Sequence, residues 1–383
     1  MEDTKILQEK ARSLTSVSPS RFTGLKACAL REVWMTSGNR ALLPVSPKAR
    51  VGIIAHQLLT EAGRGQLPPA RAVIESRWVE KVQHAQLEIQ QSSIEKHLLP
   101  LERSVPDLQV RRIRAVQSAL DIAHESYKLA RSPVLQGRSS MYGFELLVKS
   151  ADGFVRGLID CASCLQEGPL IRDYKSGEVF SRSDVNGREP KQEYQIQLKM
   201  YAALYADTFG KWPVKLEVVP LSGPPLDIPF SREDCTELVR EARELLHQIN
   251  AVIASKPVGQ TPWSLAHPGP ASCSFCQYRP ACQSYWVAPK SLGGDGWPVD
   301  VRGTVEENKM LGNSKTLLLI RTEKGIASIP GLSGGERHPA LSKLMIGDEA
   351  AVFNLMRVRA SQSYFETSLT TIYKVAADPE VKN

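Results

Sequence analysis

Two aspartates and a lysine form the pattern with the most chemical content in this sequence. Asp160 ends the segment GLID, and Asp173, Tyr174 and Lys175 follow beyond the turn residues QEGP. If strands flank that turn, Asp160 and Asp173 lie near one another across a hairpin, and Lys175 shares a face with Asp173. Two carboxylates at close range repel each other unless a cation lies between them, and Mg²⁺ or Mn²⁺ suits oxygen ligands. The pattern predicts a divalent metal site, with Lys175 orienting water or stabilising charge on phosphorus and the Tyr174 carbonyl as a further ligand.

An isolated D-x-K pattern is common and can also be a solvated surface hairpin. Four more residues help to decide whether this one is a metal site. Gln197 and Tyr201 are four apart on a predicted helix and share one face, which suits contact with a scissile phosphate or its base; an ordinary amphipathic helix is the alternative. His56 lies on the apolar side of its helix and is either a third metal ligand or a core histidine. Glu145 supports the metal or is a surface charge.

Cysteine spacing indicates a second site. Cys273, Cys276 and Cys282 place three thiols within ten residues, a density typical of a metal site that needs a fourth ligand. The candidates for the fourth are Cys28, Cys161, Cys164 and Cys235. The last three are better explained as buried or structural thiols, whereas ligation by Cys28 would close most of the chain into one loop and stabilise it strongly. The residues alone leave zinc and a 4Fe–4S cluster equally favoured.

The elements around these residues predict an α/β core with helical additions. Turn and capping signals bound the helices and strands, and Pro100 and Pro106 interrupt a helical insertion. The predicted helices are 19–34 (carrying Cys28), 47–62, 71–99, 107–131, 191–209 and 232–254, and the predicted strands are 143–149, 154–165, 170–176 and 214–220.

The C-terminal part has a different character. Residues 287–297 are rich in proline and glycine and are predicted to be a linker between a domain at 1–286 and a module at 298–383. Strands at 299–306, 315–321 and 325–329, with two long strands across 348–375, suggest a small OB-like barrel. Its aromatic residues either stack on bases or form the barrel core; they are Phe353, Tyr364, Phe365 and Tyr373, with Arg357 and Arg359 on phosphates in the first case.

Composition sets the broad class. The chain is 42% hydrophobic and 23% charged, which suits a packed globular protein, and its net charge of +7 suits a polyanion such as DNA without identifying one. No apolar run reaches the roughly 18 to 20 residues that span a bilayer. No secretory signal is predicted either, so we expect a cytoplasmic protein whose seven cysteines form no disulfide framework and whose regularly spaced cysteines bind a metal or cluster.

Taken in order, these motifs resemble the RecB-like branch of the PD-(D/E)xK nucleases over about residues 15–287. More narrowly, they are similar to its iron–sulfur members: the CRISPR-associated exonucleases, the AddB nuclease domain and eukaryotic exonuclease V. The motifs that carry the resemblance are Cys28, Gly52-x3-His56, Gly157-x2-Asp160, Asp173-Tyr174-Lys175, Gln197-x3-Tyr201 and Cys273-x2-Cys276-x5-Cys282. The β-rich C-terminal module departs from the minimal nuclease of this branch.

The resemblance implies a restriction-endonuclease-like mixed sheet and a set of roles. His56, Asp160, Asp173 and the Tyr174 carbonyl would bind Mg²⁺ or Mn²⁺, Lys175 would be the catalytic lysine, and Gln197 and Tyr201 would complete the site and contact DNA. Cys28, Cys273, Cys276 and Cys282 would hold a structural 4Fe–4S cluster.

The function expected on these grounds is a DNA nuclease acting on single strands or DNA ends through metal-activated water, with a helicase as one possible protein partner. Two alternatives remain at this point. One is a catalytically silent scaffold that binds DNA or a partner, and the other is a zinc-stabilised structural protein.

Overall fold

The computed structural model describes residues 10–130, 141–180, 189–257, 259–288, 296–358 and 361–375. The α-helices are α1 Pro19–Ala27, α2 Ala29–Thr36, α3 Pro47–Gly63, α4 Arg71–Gln91, α5 Leu101–Ser104, α6 Leu108–Ala130, α7 Gln192–Phe209, α8 Arg232–Ala254, α9 Pro270–Cys273 and α10 Gln283–Val287. Among the described residues, no helix combines the length and apolar content that crossing a bilayer requires.

A mixed five-stranded sheet organises the N-terminal part. Its strands lie in sequence order and are β1 Gly143–Lys149, β2 Arg156–Cys164, β3 Pro169–Lys175, β4 Lys215–Pro220 and β5 Leu226–Asp227. All neighbours are antiparallel except β3 and β4, which are parallel. A parallel pair needs a crossover, and α7 supplies it. This mixed α/β arrangement is consistent with the expected restriction-endonuclease-like fold.

Two apolar cores hold these elements. One lies between the sheet and helices α1, α2, α7 and α8, and the other joins α3, α4 and α6. The α7 helix is buried along much of its length, since Leu198, Ala202 and Tyr205 are all inaccessible. A helix fixed so firmly against the sheet can hold polar side chains in place at the strand ends.

The prediction of one helix over 19–34 is wrong. Cys28 has an extended backbone (φ −161°, ψ 97°), and it both ends α1 and precedes α2. This break places the Cys28 thiol in a cavity with other cysteines rather than along a helix face. The first helix of the insertion is also shorter than the predicted 71–99, because α4 ends at Gln91. Only a 3₁₀ turn and the short helix α5 lie between α4 and α6.

The C-terminal strands form a second sheet and a small ribbon. Their bounds are β6 Val301–Met310, β7 Lys315–Thr322, β8 Gly325–Ser333, β9 Glu349–Phe353, β10 Met356–Arg357, β11 Tyr364–Phe365 and β12 Thr371–Lys374. The sheet order is β12-β9-β6-β7-β8, with β10 and β11 paired separately. The two long strands expected across 348–375 are therefore four short ones.

The OB-like barrel is not confirmed, because the described strands leave the sheet open between its outer strands β12 and β8. Most of the predicted linker, 289–295, lies outside the described residues, as does Arg359. Phe353 and Tyr364 are buried, so the structure favours the core alternative for these two rings over base stacking. The Tyr373 hydroxyl donates to the Leu42 carbonyl at 2.5 Å, which attaches this part to the N-terminal part.

Candidate active site

The β2–β3 hairpin brings the two aspartates together. Cys161 pairs with Arg172, so the next opposed residues are Asp160 and Asp173, where the recorded pairing of the two strands ends. Beyond the last pair, the Tyr174 N–H donates to Asp160 Oδ2 at 2.8 Å instead of to a strand carbonyl. The strands therefore separate at the aspartates, and the Asp160 carboxylate accepts the hydrogen bond of the Tyr174 N–H in place of a carbonyl of the partner strand.

Asp173 lies in a buried polar network with Lys175 and Gln197. The Gln197 amide donates to Asp173 Oδ1 at 2.8 Å, and Lys175 Nζ donates to Gln197 Oε1 at 3.2 Å. Lys175 Nζ is also 2.7 Å from Asp173 Oδ2, a buried ion pair. Alternation along β3 thus places the lysine beside the carboxylate, as the sequence indicated.

Burial dominates the electrostatics of this pair. It raises the pKa of Asp173 to about 7, and the charge of Asp160 acts in the same direction while Lys175 and His56 oppose it. Burial also disfavours the charge on Lys175, but Asp173 outweighs that effect and raises the pKa of the lysine. A cation between the aspartates would offset their repulsion and favour the ionised form of both.

The α3 helix carries His56 to the same point. His56 Nε2 lies 3.1 Å from Asp160 Oδ1, and the hydrogen bond to Asp160 raises the pKa of the imidazole against the effect of burial. The expectation that His56 lies on an apolar face holds only in part, because Leu59 is buried but Ile53 is exposed and the His56 side chain is 39% accessible. A histidine on a closed apolar face would reach no ion.

Gln197 and Tyr201 do share one face of α7, but both are buried. A Cβ added to Gly157 would lie 3.0 Å from Tyr201 Cε1 and 3.2 Å from its hydroxyl, so the glycine of the GLID segment makes room for this ring. The prediction that these two side chains contact DNA has no support from this burial. Their position instead lets them fix the hairpin and the Asp173–Lys175 pair.

Sequence reasoning missed two side chains near the site. Lys175 Nζ lies 4.8 Å from the centre of the Tyr194 ring, a cation–π contact, and the Thr60 hydroxyl donates to Glu145 at 3.2 Å. Both residues keep helical spacing from residues already singled out, because Tyr194 is three before Gln197 and Thr60 is four after His56. That spacing was the signal that could have found them.

The donor set suits a hard divalent ion. Within the described residues, one group of possible ligand atoms lies within 4.8 Å of one another, and it consists of His56, Glu145 and Asp160. Two carboxylates and an imidazole favour Mg²⁺ or Mn²⁺ on chemical grounds; Asp173 is not part of this group, and its Oδ2 lies against Lys175 Nζ at 2.7 Å. Such a group, with a lysine on the next strand to stabilise negative charge, suits metal-assisted phosphodiester hydrolysis.

Comparison with known families agrees with this geometry. Residues 16–283 match the model of the PD-(D/E)XK nuclease superfamily, which is about 70% of the chain. The chain belongs to this superfamily. No curated protein matches it. Membership of the PD-(D/E)XK superfamily indicates a metal-dependent nuclease, a hydrolase, and leaves its substrate preference open.

The four cysteines of this PD-(D/E)XK nuclease that were predicted to bind a cluster lie outside that site. Cys28, Cys273, Cys276 and Cys282 line one small cavity, and all seven cysteines are free thiols. Burial raises the pKa of Cys276 to about 12, and neighbouring Cys28 and Cys282 act in the same direction. Among described residues, however, no three cysteine sulfurs come within 4.8 Å of one another, so the structure holds no compact thiolate group and the cluster is not confirmed.

Proposed function

We propose that this chain is a RecB-like DNA nuclease that uses Mg²⁺ or Mn²⁺ and acts on single strands or DNA ends. The observation that carries the proposal is the meeting of Asp160 and Asp173 at the end of the β2–β3 pairing, with Lys175 Nζ 2.7 Å from Asp173. The net charge of +7 favours a polyanionic substrate. The preference for single strands or ends rests on the motifs shared with RecB-like nucleases.

The chemistry assigns a role to each side chain. A bound divalent ion would polarise the phosphodiester and lower the pKa of an attacking water. Asp160, Asp173 and His56 Nε2 would hold the ion, and the Tyr174 carbonyl is the further ligand that we propose. Lys175 would stabilise the negative charge that develops on the phosphate oxygens, while Gln197 keeps both Lys175 and Asp173 in place.

Access to the site is open on one side. A groove of about 720 Å³ begins at His56 and Glu145 and runs between α3 and α4. Its wall charges are partly neutralised within the protein, because Glu61 pairs with both Arg77 and Lys81 at 2.8 Å. A substrate strand therefore reaches the ion along a polar path that is not uniformly positive.

The test is digestion of end-labelled single- and double-stranded oligonucleotides, with circular DNA as the control for end dependence. Wild type should degrade linear substrates with Mg²⁺ or Mn²⁺, and Lys175→Ala should lower the rate about 10²- to 10³-fold, as removal of one charge-stabilising donor does elsewhere. Lys215→Ala is the matched control, because Lys215 is ion-paired on the neighbouring strand away from the site. Full activity in Lys175→Ala would reject the site assigned here, whereas no cleavage by wild type with either metal would reject the proposal and favour a silent scaffold.

We also propose that Cys28, Cys273, Cys276 and Cys282 bind a structural 4Fe–4S cluster. Support comes from their common cavity and from the cysteine motifs shared with the iron–sulfur RecB-like nucleases, which favour a 4Fe–4S cluster over zinc. Anaerobically purified protein should be brown and contain iron and acid-labile sulfide in equal amounts. Cys276→Ser should lose both, whereas Cys164→Ser, at an exposed thiol, should keep both. Colourless protein with stoichiometric zinc would reject the cluster.

Finally, we propose that residues 298–383 are a module distinct from a nuclease domain at 1–286. The strands β6–β9 and β12 share an apolar core of their own, which includes Val305, Ile320 and Val352. That core is separate from the two cores of the nuclease part.

A further inference from the structure

Glu145 has a left-handed backbone conformation in the middle of strand β1, where extended backbone is expected. Its φ is +51°, in the left-handed region that favours glycine, although the residues on either side keep a regular ladder. Phe144 pairs with Cys161, and Leu146 pairs with Ile159, so Glu145 is the residue opposite Asp160. Unfavourable conformations of this kind persist where the surroundings impose them, and they concentrate at functional sites.

Two side chains of α3, His56 and Thr60, lie against the Glu145 carboxylate. Thr60 donates to Glu145 Oε1 at 3.2 Å, and His56 Nδ1 lies 4.0 Å from the same oxygen. His56 and Thr60 are four residues apart, so one helix face brings both to the carboxylate. The other imidazole nitrogen, Nε2, is 3.1 Å from Asp160. The imidazole therefore lies between two carboxylates, with one nitrogen directed to each.

We propose that Glu145 is a positioning residue for His56, an inference that rests on the proposed function. By accepting a hydrogen bond from Nδ1–H, the carboxylate would hold the tautomer whose Nε2 lone pair faces the ion; in the metal-free protein Nε2–H instead donates to Asp160 at 3.1 Å. Histidines that bind metals usually donate their other N–H to a carboxylate or carbonyl, which fixes the tautomer and the ring orientation. The 4.0 Å separation in the metal-free protein is longer than a hydrogen bond, and contacts of this kind commonly shorten when a site is loaded.

Titration of the full chain with Mn²⁺ alone, followed by calorimetry, tests the proposal. Glu145→Gly relieves the left-handed backbone, so it should fold with an undiminished melting temperature while binding Mn²⁺ about 10- to 100-fold more weakly. Glu145→Gln should stay within a few-fold of wild type, because its amide oxygen still accepts from Nδ1–H. Glu88→Gln, on the same groove wall but away from His56, is the control and should bind like wild type.

A double variant separates positioning from direct ligation. If Glu145 acts through His56, His56→Ala with Glu145→Gly should bind Mn²⁺ no more weakly than His56→Ala alone. In the Mg²⁺-loaded protein, proton NMR should show the His56 Nδ1–H signal shifted downfield by a hydrogen bond in wild type, and the shift should be lost in Glu145→Gly.

Three results would overturn the inference: unchanged affinity in Glu145→Gly, a further loss in the double variant, or an unchanged Nδ1–H proton shift. None of them concerns DNA cleavage by wild type. If wild type instead binds no divalent ion and leaves DNA intact, it is the proposed function that fails.

Discussion

At the scale of single residues, burial and the neighbouring charges together set the pKa of Asp173. Asp173 is 2% accessible, and its ionised form is opposed by burial and by Asp160, while Lys175 favours it. The sequence predicted that Asp173 and Lys175 share a face, because strand alternation is local. It did not predict the burial of Gln197 or the left-handed Glu145, because both depend on how α7 and α3 pack against the sheet.

The raised pKa of Asp173 predicts how the stability of the metal-free protein changes with pH. In the unfolded chain this carboxyl titrates near its ordinary value of 3.8, and in the folded chain near 7, so the folded state binds the extra proton between these values. Stability from this group is therefore present at acidic pH and is lost as pH rises toward 7 and above. Asp173→Asn, which carries no charge, should gain stability relative to wild type between pH 5.5 and pH 8.

Urea unfolding in EDTA at both pH values measures that difference. Asp227→Asn serves as the exposed control and should show no such trend. A constant difference between Asp173→Asn and wild type would mean that Asp173 is not a buried, strained carboxylate.

At the scale of elements, the site depends on how closely α3 approaches β1. The α3 helix carries His56, and β1 carries Glu145. Gly63 ends this helix against the Phe144 ring, and a Cβ there would overlap the ring. Capping and turn signals predicted α3, β1–β4 and α7 well, because these signals are local. The break at Cys28 was not predicted, because residues 25–31 contain no glycine or proline that would mark it.

Gly63→Ala should therefore separate α3 from β1. The clash is expected to lower stability by about 1 to 3 kcal/mol, which outweighs the helix-forming advantage of alanine. Mn²⁺ affinity should fall as well, because His56 moves with the helix. Denaturant unfolding and metal titration measure the two effects. Gly177→Ala, where an added Cβ meets open space, should change neither. Wild-type behaviour of Gly63→Ala would show that the close approach of α3 is not needed.

At the scale of the whole molecule, a buried ion pair joins the cysteine loop to the C-terminal strands. Arg279 donates to Asp300 Oδ2 at 2.8 Å, and both side chains are almost inaccessible. The same guanidinium donates to the carbonyls of Cys273 and Cys276 at 2.9 Å. Arg279 stands inside the CSFCQYRPAC motif, yet its partner could not be found from the sequence, because nothing local connects it to Asp300.

Asp300→Ala should destabilise the protein by about 3 to 5 kcal/mol, because it leaves a buried guanidinium without its partner. The double variant Arg279→Met with Asp300→Leu should recover part of that loss. Glu336→Ala removes an exposed pair with Lys96 and should cost less than about 1 kcal/mol. Equilibrium unfolding measures all three. Equal, small effects would mean that the two parts of the chain do not depend on this contact.

The central claim is that Asp160, Asp173 and His56 bind one divalent ion. Diffraction at the manganese absorption edge, from crystals soaked in Mn²⁺, tests it most directly. We expect an anomalous peak in direct contact with the carboxylates of Asp160 and Asp173 and with His56 Nε2, and its loss in Asp173→Asn. A strong peak elsewhere, with none at the end of the β2–β3 pairing, would contradict the account.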